Sequence, residues 1–436
     1  MDDEKVDYSD LEAHGQQSLL DVAPDWKKHW QGMPEFSQKN LMPWQSVTIH
    51  FRNLQDRQFF SKLIEQNITD LTKSLWFPKA EIEKKIDKRY RASTPLTPKY
   101  PIYVPTKGRW DSALTIKALD EIGVDYYAVI QPQELEHYKP VVKNGAILLL
   151  PEGLGGLVPA RNWIKDHSIK LGAERHWQID DNISGFCRLH DNQKIRVADG
   201  AIFRLAEDFA DRYENIAIAG FNYRFFAKQK QLIPPFLFNT RIYSTSLVSN
   251  LIPHYWRGVY NDDTDICLRV LKDGFCTVQF NAFLSDKMTT MLVKGGNTPI
   301  YQGDGRKKMA ESLKEQHPDV VTITQKWGRY QHHVNYEPFK KNKPILKKGV
   351  LNVLNNYNLE LIKLGESDLA PVPQESASNE AVRHDAPSPS KIEENRAARE
   401  SVDMQAIKRA WANIEHRIDE DHVKEHIQLL FPINPK

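Results

Sequence analysis

His176-Trp177-Gln178-Ile179-Asp180-Asp181-Asn182 is the stretch on which the fold turns. Its first four residues read as a buried strand, and the chain becomes sharply polar where that strand ends. Two adjacent carboxylates repel each other, so placing them together costs energy unless a cation lies between them. Oxygen ligands in this number suit a hard cation such as Mg²⁺ or Mn²⁺, completed by water and substrate phosphates. The competing reading is a solvated turn, because Asp and Asn are common turn residues. The triplet alone does not separate the two.

The flanking sequence adds context. Upstream, Gly155-Gly156-Leu157-Val158-Pro159-Ala160-Arg161-Asn162 leads into a helix expected over 159–171. Glycine permits close backbone approach, and Arg161 offers a fork of donors to a phosphate or an aspartate. The plainer reading of Arg161 is an ordinary arginine at a helix start. Downstream, Asn261-Asp262-Asp263-Thr264-Asp265-Ile266-Cys267-Leu268-Arg269 opens a helix with one buried face. Asp262, Asp263 and Asp265 gather at its N-terminus, where the helix dipole favours negative charge. Capping accounts for such a cluster, and so does a carboxylate projected into a site as a general base.

Around these motifs strands and helices alternate. Ile102–Val104, Tyr126–Ile130, Ala146–Leu150 and His176–Ile179 read as strands, with helices near Ser112–Ile122 and Pro159–Leu171. The alternation predicts an α/β fold, a mostly parallel Rossmann-like sheet with helices on its faces. Later strands at Ala217–Ala219, Thr240–Ser244 and Thr277–Phe283 are expected in mixed directions. Ligands bind beyond the carboxyl ends of such strands, where Pro105 to Arg109 and Asp180 to Asn182 fall. This main zone is expected over 100–350. Before it, 1–22 reads as a disordered acidic tail. Residues 23–91 read as a small aromatic-rich α+β module, with a strand at Ser46–Phe51 and a helix over Leu54–Gln66. After it, 366–389 reads as a flexible linker and 390–431 as a helical segment. In that segment Met404, Ile407, Trp411, Ile414 and Ile418 form an apolar stripe, which packs on the chain's own core or docks a partner helix, a homodimer included.

Composition narrows the classes. The 436 residues are 40% hydrophobic with a net charge of +2, so composition alone announces neither a nucleic-acid binder nor a membrane-surface protein. Three cysteines without a Cys-x-x-Cys pair argue against structural zinc or a disulfide framework. The acidic N-terminus lacks the apolar core of a secretory signal, and no stretch approaches the roughly 20 apolar residues of a membrane span. The cytoplasm is the expected compartment.

The order of these motifs resembles the glycosyltransferase A fold of nucleotide-diphospho-sugar transferases. The resemblance runs over roughly residues 100 to 290, from Gly156-Leu157 and Ala160-Arg161-Asn162 through the triplet to Asp265-Ile266-Cys267-Leu268-Arg269 and Gly274. More narrowly, the domain resembles the TET-associated glycosyltransferases of bacteriophages. That match rests on Tyr103-Val104-Pro105-Thr106-Lys107-Gly108-Arg109, the triplet, Asn261-Asp262-Asp263 and Gly295-Gly296-Asn297. The resemblance implies transfer of a sugar from a nucleotide-diphosphate donor, expected to be a UDP-sugar, to a hydroxymethylated pyrimidine such as 5-hydroxymethylcytosine in DNA. It also implies a TET-like dioxygenase in the same pathway and, for a phage-encoded chain, the host cytoplasm. Trp30-Gln31-Gly32-Met33-Pro34-Glu35-Phe36 is similar to a small module of phage DNA-modification proteins.

Roles follow by resemblance. Asp181, with Asn182 and a downstream histidine, His332 or its neighbour His333, would hold Mn²⁺ or Mg²⁺. Pro105, Thr106, Arg109, Arg161 and Asp180 would cradle the donor. Asp263 would take the acceptor's proton, with Asp262 beside it and Asp265 as the fallback. Two departures stand out: Asn182 replaces a frequent third Asp, and Asp262-Asp263 replaces a frequent Glu-Asp. Basic residues between Lys294 and Lys348, with Trp327, Tyr330 and Tyr336 interleaved, suit DNA as acceptor. Two alternatives stand beside this reading: transfer to a polysaccharide or protein hydroxyl, and a non-catalytic DNA-binding protein that has kept the fold.

Overall fold

The structure is a computed structural model that describes residues 26–79, 87–288, 305–326, 329–350, 357 and 359–363. The expected tail (1–22), linker (366–389) and helical segment (390–431) lie outside the described residues, as do Gly295-Gly296-Asn297, Lys294 and Trp327.

In chain order the elements are α1 (Trp26–His29), α2 (Leu54–Leu63), β1 (Lys88–Ala92), β2 (Ile102–Pro105), α3 (Leu114–Glu121), β3 (Tyr127–Ile130), α4 (Leu135–Tyr138), β4 (Ala146–Leu149) and α5 (Leu157–Lys170). Then come β5 (Arg175–Ile179), β6 (Ile183–His190), β7 (Gln193–Arg196), α6 (Ala201–Asp211), β8 (Ile216–Tyr223), β9 (Phe236–Phe238) and β10 (Thr245–Ser249). The last are α7 (Asp262–Lys272), β11 (Cys276–Lys287), α8 (Gly305–Gln316), β12 (Val321–Lys326), β13 (Arg329–Val334) and β14 (Leu359–Lys363).

One ten-stranded sheet carries the fold, in the order β4-β3-β2-β5-β10-β8-β11-β6-β7, with β9 also paired to β11. β4, β3, β2 and β5 run parallel, as the strand–helix alternation requires. β10 enters antiparallel between β5 and β8, and β11 runs parallel to β8 but antiparallel to β6. The sheet is therefore mixed, with a parallel half that holds the first βα units. β5 lies in its interior and is buried along its whole length, and its polar side chains find partners there: His176 meets Asn250 at 2.7 Å and Gln178 at 2.9 Å, and Gln178 accepts from Arg161 at 3.2 Å. Trp177 is fully buried there against Phe203 and Phe221, and its indole N–H donates to Glu207 at 2.8 Å.

Three expectations need adjustment. Ser46–Phe51 holds no strand: Val47 and Ile49 are exposed, so the alternation has no apolar face to cover. The following helix forms over Leu54–Leu63, capped by the Asn53 side chain. The strand expected at Thr240–Ser244 forms at Thr245–Ser249 instead. The preceding loop spends its backbone groups elsewhere, with Thr277 Oγ1 donating to the Thr240 carbonyl and the Ile242 N–H reaching Cys267 Sγ. The β6–β7 hairpin and α6 carry no expectation in the sequence reading. α6 lays Phe203 and Phe209 into the main core.

Trp30 also belongs to that core. It stacks on Phe236 at 5.7 Å and touches Phe209, Phe280 and Phe283, so residues 26–36 close one face of the main sheet. Among the described residues no helix is long and apolar enough to cross a membrane.

Candidate active site

β5 ends at Ile179, and the triplet turns away from the sheet immediately beyond it. Thr115, in the first turn of α3, fixes this turn from below: its hydroxyl donates to the Asp180 carbonyl (2.6 Å) and accepts from the Ile183 N–H (2.9 Å). The Asp180 N–H donates to the Ser244 carbonyl at 2.7 Å. The triplet's backbone is thus held from two sides, which leaves its side chains to be arranged by their partners.

Asp180 is gripped by three groups. Arg161 Nη2 donates to Oδ1 at 2.9 Å, while Ser244 Oγ (2.5 Å) and Lys287 Nζ (3.3 Å) reach Oδ2. Burial opposes its charge, but Lys287 and Arg161 outweigh that and hold the carboxyl down to about 2. Asp181 faces the other way, toward the loop after β2. It pairs with Arg109 and accepts from Thr106 Oγ1 at 3.1 Å. Burial raises its proton affinity, with Arg109 opposing and Asp180 reinforcing. Tyr138 on α4 orders this loop, its hydroxyl meeting Thr106 Oγ1 (2.7 Å) and the Arg109 N–H (3.2 Å). Gly108 stands at φ +64°, a conformation that glycine adopts without strain. Pro105 is the last residue of β2, in register with Val129.

Arg161 joins two motifs. It sits in the first turns of α5, after Gly156 at φ +95°, and is only 5% exposed. Besides Asp180 it holds Asp262 in a 2.9 Å ion pair through Nε, though without the alignment of a hydrogen bond. Asp262 and Asp263 begin α7, whose preceding residue Asn261 adopts the left-handed conformation. Arg161, Tyr243, Ser244 and Asp263 line one small pocket. Burial, and then the neighbouring Asp262 charge, raise the Asp263 carboxyl to about 6, with Arg161 opposing. That value suits a group that must be ionised near neutrality yet accept a proton.

Asp265 is not brought to this pocket. It is fully buried and bonded to Arg257 (2.9 Å), Arg269 (2.9 Å) and His317 (2.9 Å). These partners outweigh the burial cost and keep its carboxyl at about 2. It lies three residues after Asp262, yet its partners are Arg257 on the 253–261 loop, Arg269 one turn along α7 and His317 just beyond α8, and it does not line the Asp263 pocket.

Lys287, Ser244 and Tyr223 are the members that sequence reasoning missed. Lys287 Nζ donates to Ser244 Oγ at 2.6 Å and Tyr223 Oη at 3.1 Å, beside its contact with Asp180. It is the last residue of β11, more than a hundred positions from the triplet, and no local motif marks it. The one available signal is a lone lysine ending a long apolar strand.

Residues 100–296 match the family model of the TET-associated glycosyltransferases. Over this region the chain is similar to that family. No curated protein matches the chain. The matched region contains the β2 loop, the triplet, Arg161 and the Asp262-Asp263 pair.

The expected metal set is not assembled. His332 lies on β13, paired with Ile323 in a separate two-stranded sheet, and His333 is next to it. Among the described residues no group of three or more His, Cys, Asp or Glu side chains is placed to hold a metal ion. Both Asp180 oxygens and both Asp181 oxygens already have protein partners. Asn182 Oδ1 is the triplet's one buried oxygen without a partner, and it is neutral. Arranged this way, the donor set does not fit a divalent cation.

Proposed function

We propose that the protein transfers a sugar from a nucleotide-diphosphate donor, most simply a UDP-sugar, to the hydroxymethyl group of a modified pyrimidine in DNA. The observation that carries the reading is Asp263, a carboxylate tuned to about 6 and held in one pocket with Arg161, which also grips the strand-end Asp180. The donor's diphosphate lies over the carboxyl ends of β2 and β5, where Thr106, Arg109 and Arg161 offer donors. Asp263 accepts the acceptor hydroxyl's proton as that oxygen bonds to the sugar's anomeric carbon. The bond from that carbon to the diphosphate oxygen breaks, and its electron pair leaves with the nucleotide diphosphate. Arg109, Arg161 and Lys287 are fixed positive charges at the triplet that can meet that developing anion.

DNA as acceptor is supported by the surface beside the domain. α8 presents Arg306, Lys307 and Lys308, and Lys307 lies over the Tyr330 ring at 5.6 Å. Lys340, Lys341 and Lys343 follow, a pattern suited to phosphates. A TET-like dioxygenase acting beforehand would supply the hydroxymethyl group.

The test is direct. The full chain is incubated with several nucleotide sugars and hydroxymethylated DNA, the DNA is digested, and its nucleosides are weighed. A nucleoside heavier by one sugar residue is the expected product. Transfer only to a polysaccharide or protein hydroxyl selects the other acceptor class, and failure to bind any nucleotide sugar by calorimetry overturns the enzyme reading.

A further inference from the structure

Beyond the carboxylates, the site borders a run of flat side chains. Tyr223 and Tyr243 stack almost parallel, 9° apart with centroids at 5.3 Å. Phe225 continues the run on Tyr223 at 5.3 Å and 24°, and the Arg241 guanidinium lies 4.7 Å over the Tyr243 ring. The inner part of the run belongs to the site: the Tyr223 hydroxyl contacts Ser244 and Lys287, which grip Asp180. The outer part reaches solvent, since Phe225 is 44% exposed. A ring serving only the core would be covered. This one instead ends a stack that begins beside Asp180's partners, and an exposed aromatic ring accepts any planar heterocycle without demanding a sequence.

The surface it reaches is cationic and aromatic. Lys230, on the loop that follows Phe225, lies over the Trp76 ring at 5.6 Å, and its carbonyl accepts from the Leu41 N–H at 2.7 Å. The N-terminal segment over 26–79 thereby contacts the loop that follows Phe225. It carries eight Lys and Arg against four Asp and Glu, a surplus of four positive charges. Trp44 there is 95% exposed. Exposed rings with interspersed cations complement a strand that has both phosphates and unpaired bases.

We propose that Phe225, at the outer end of the Tyr223–Tyr243 stack, seats the acceptor base in an unpaired, extruded state, and that the Lys230–Trp76 edge tracks the strand carrying it. The inference rests on the DNA-acceptor reading above and names the residues that read the base. A base inside a duplex cannot present its hydroxymethyl group to a recessed carboxylate, so extrusion is required, and a stacking seat offsets the lost pairing.

The test compares wild type, Phe225→Ala and Phe225→Trp as full chains on a single-stranded oligonucleotide with one hydroxymethylated cytosine. Phe225→Ala is expected to raise KM for the oligonucleotide about tenfold with little change in kcat, as expected for one lost base stack. Donor affinity by calorimetry should stay as in wild type, and Phe225→Trp should restore KM. In a duplex with 2-aminopurine beside the target, wild type should raise the fluorescence and Phe225→Ala should not. An unchanged KM and fluorescence response in folded Phe225→Ala overturns the seat while leaving the DNA-acceptor reading intact. A wild-type enzyme that binds donor but never modifies DNA overturns that underlying reading instead.

Discussion

Arg161 Nη2 stands 2.9 Å from Asp180 Oδ1, and this contact ties the start of α5 to the carboxyl end of β5. The same guanidinium reaches Asp262, so one buried cation aligns the strand-end carboxylate with the start of α7. Removing it strands two carboxylates. Arg161→Met should lower unfolding stability by roughly 3–5 kcal/mol, the usual cost of breaking a buried pair, and abolish transfer. Arg161→Lys keeps the charge but loses the fork, so it should retain more stability than activity. Denaturant titration beside a sugar-transfer assay checks both.

As the proposed proton acceptor, Asp263 should make the reaction depend on pH. Its carboxyl titrates at about 6, above the ordinary aspartate range, because burial and then Asp262 disfavour its charge. Transfer should rise with pH through about 6 and level off above it, and Asp263→Asn should remove the activity. The stability sign is the opposite. A pKa raised on folding contributes stability at low pH that is lost as pH rises through about 6. Asp263→Asn should therefore be more stable than wild type at pH 8, with the difference shrinking toward pH 4. Thermal melts across that range measure it, and a variant less stable than wild type at pH 8 contradicts the argument.

Asp265 belongs to the scaffold. Its carboxyl is lowered to about 2 despite burial, through His317, Arg257 and Arg269, so its stabilisation is present above the ordinary aspartate pKa and lost as pH falls toward 2. Asp265→Ala should cost about 3–5 kcal/mol at neutral pH by leaving buried partners unpaired. Donor affinity of the remaining folded protein should change little at low temperature. A selective loss of activity with unchanged melting would put Asp265 back in the chemistry.

The Arg109–Asp181 pair occupies the carboxylate that the sequence reading expected to hold a cation. With both Asp181 oxygens occupied by Arg109 and Thr106, the donor-free protein should bind Mn²⁺ weakly by calorimetry. Arg109→Ala exposes that carboxylate beside the unpartnered Asn182 Oδ1 and should tighten Mn²⁺ binding severalfold. Tight binding to wild type, undiminished by Asp181→Asn, would place a cation elsewhere.

How much of this could be read in advance depends on range. The β2 and β5 strands, the α5 start and the Asp262-Asp263 helix start were legible, because each is a local pattern of apolar period followed by a polar break. Asp265 shows the limit of such patterns. Its spacing from Asp262 and Asp263 is local, but whether it faces the pocket or the scaffold depends on Arg257, Arg269 and His317. Likewise, Val47 and Ile49 alternate as a strand would, yet alternation creates a strand only where another strand and a covered face exist.

By itself the sequence determined the α/β class, the strand that carries the triplet and the likeness of residues 100–296 to the TET-associated glycosyltransferases. These rest on periodicity and motif order, which are properties of neighbouring residues. Only the tertiary structure decided which charges meet. It set Lys287 against Asp180 across the insertion of β10 and β8, and it gave Asp181 to Arg109 rather than to His332. The physical reason is that a carboxylate's proton affinity and partners follow burial and distance in space, and those are fixed by sheet order and register, which no local pattern encodes.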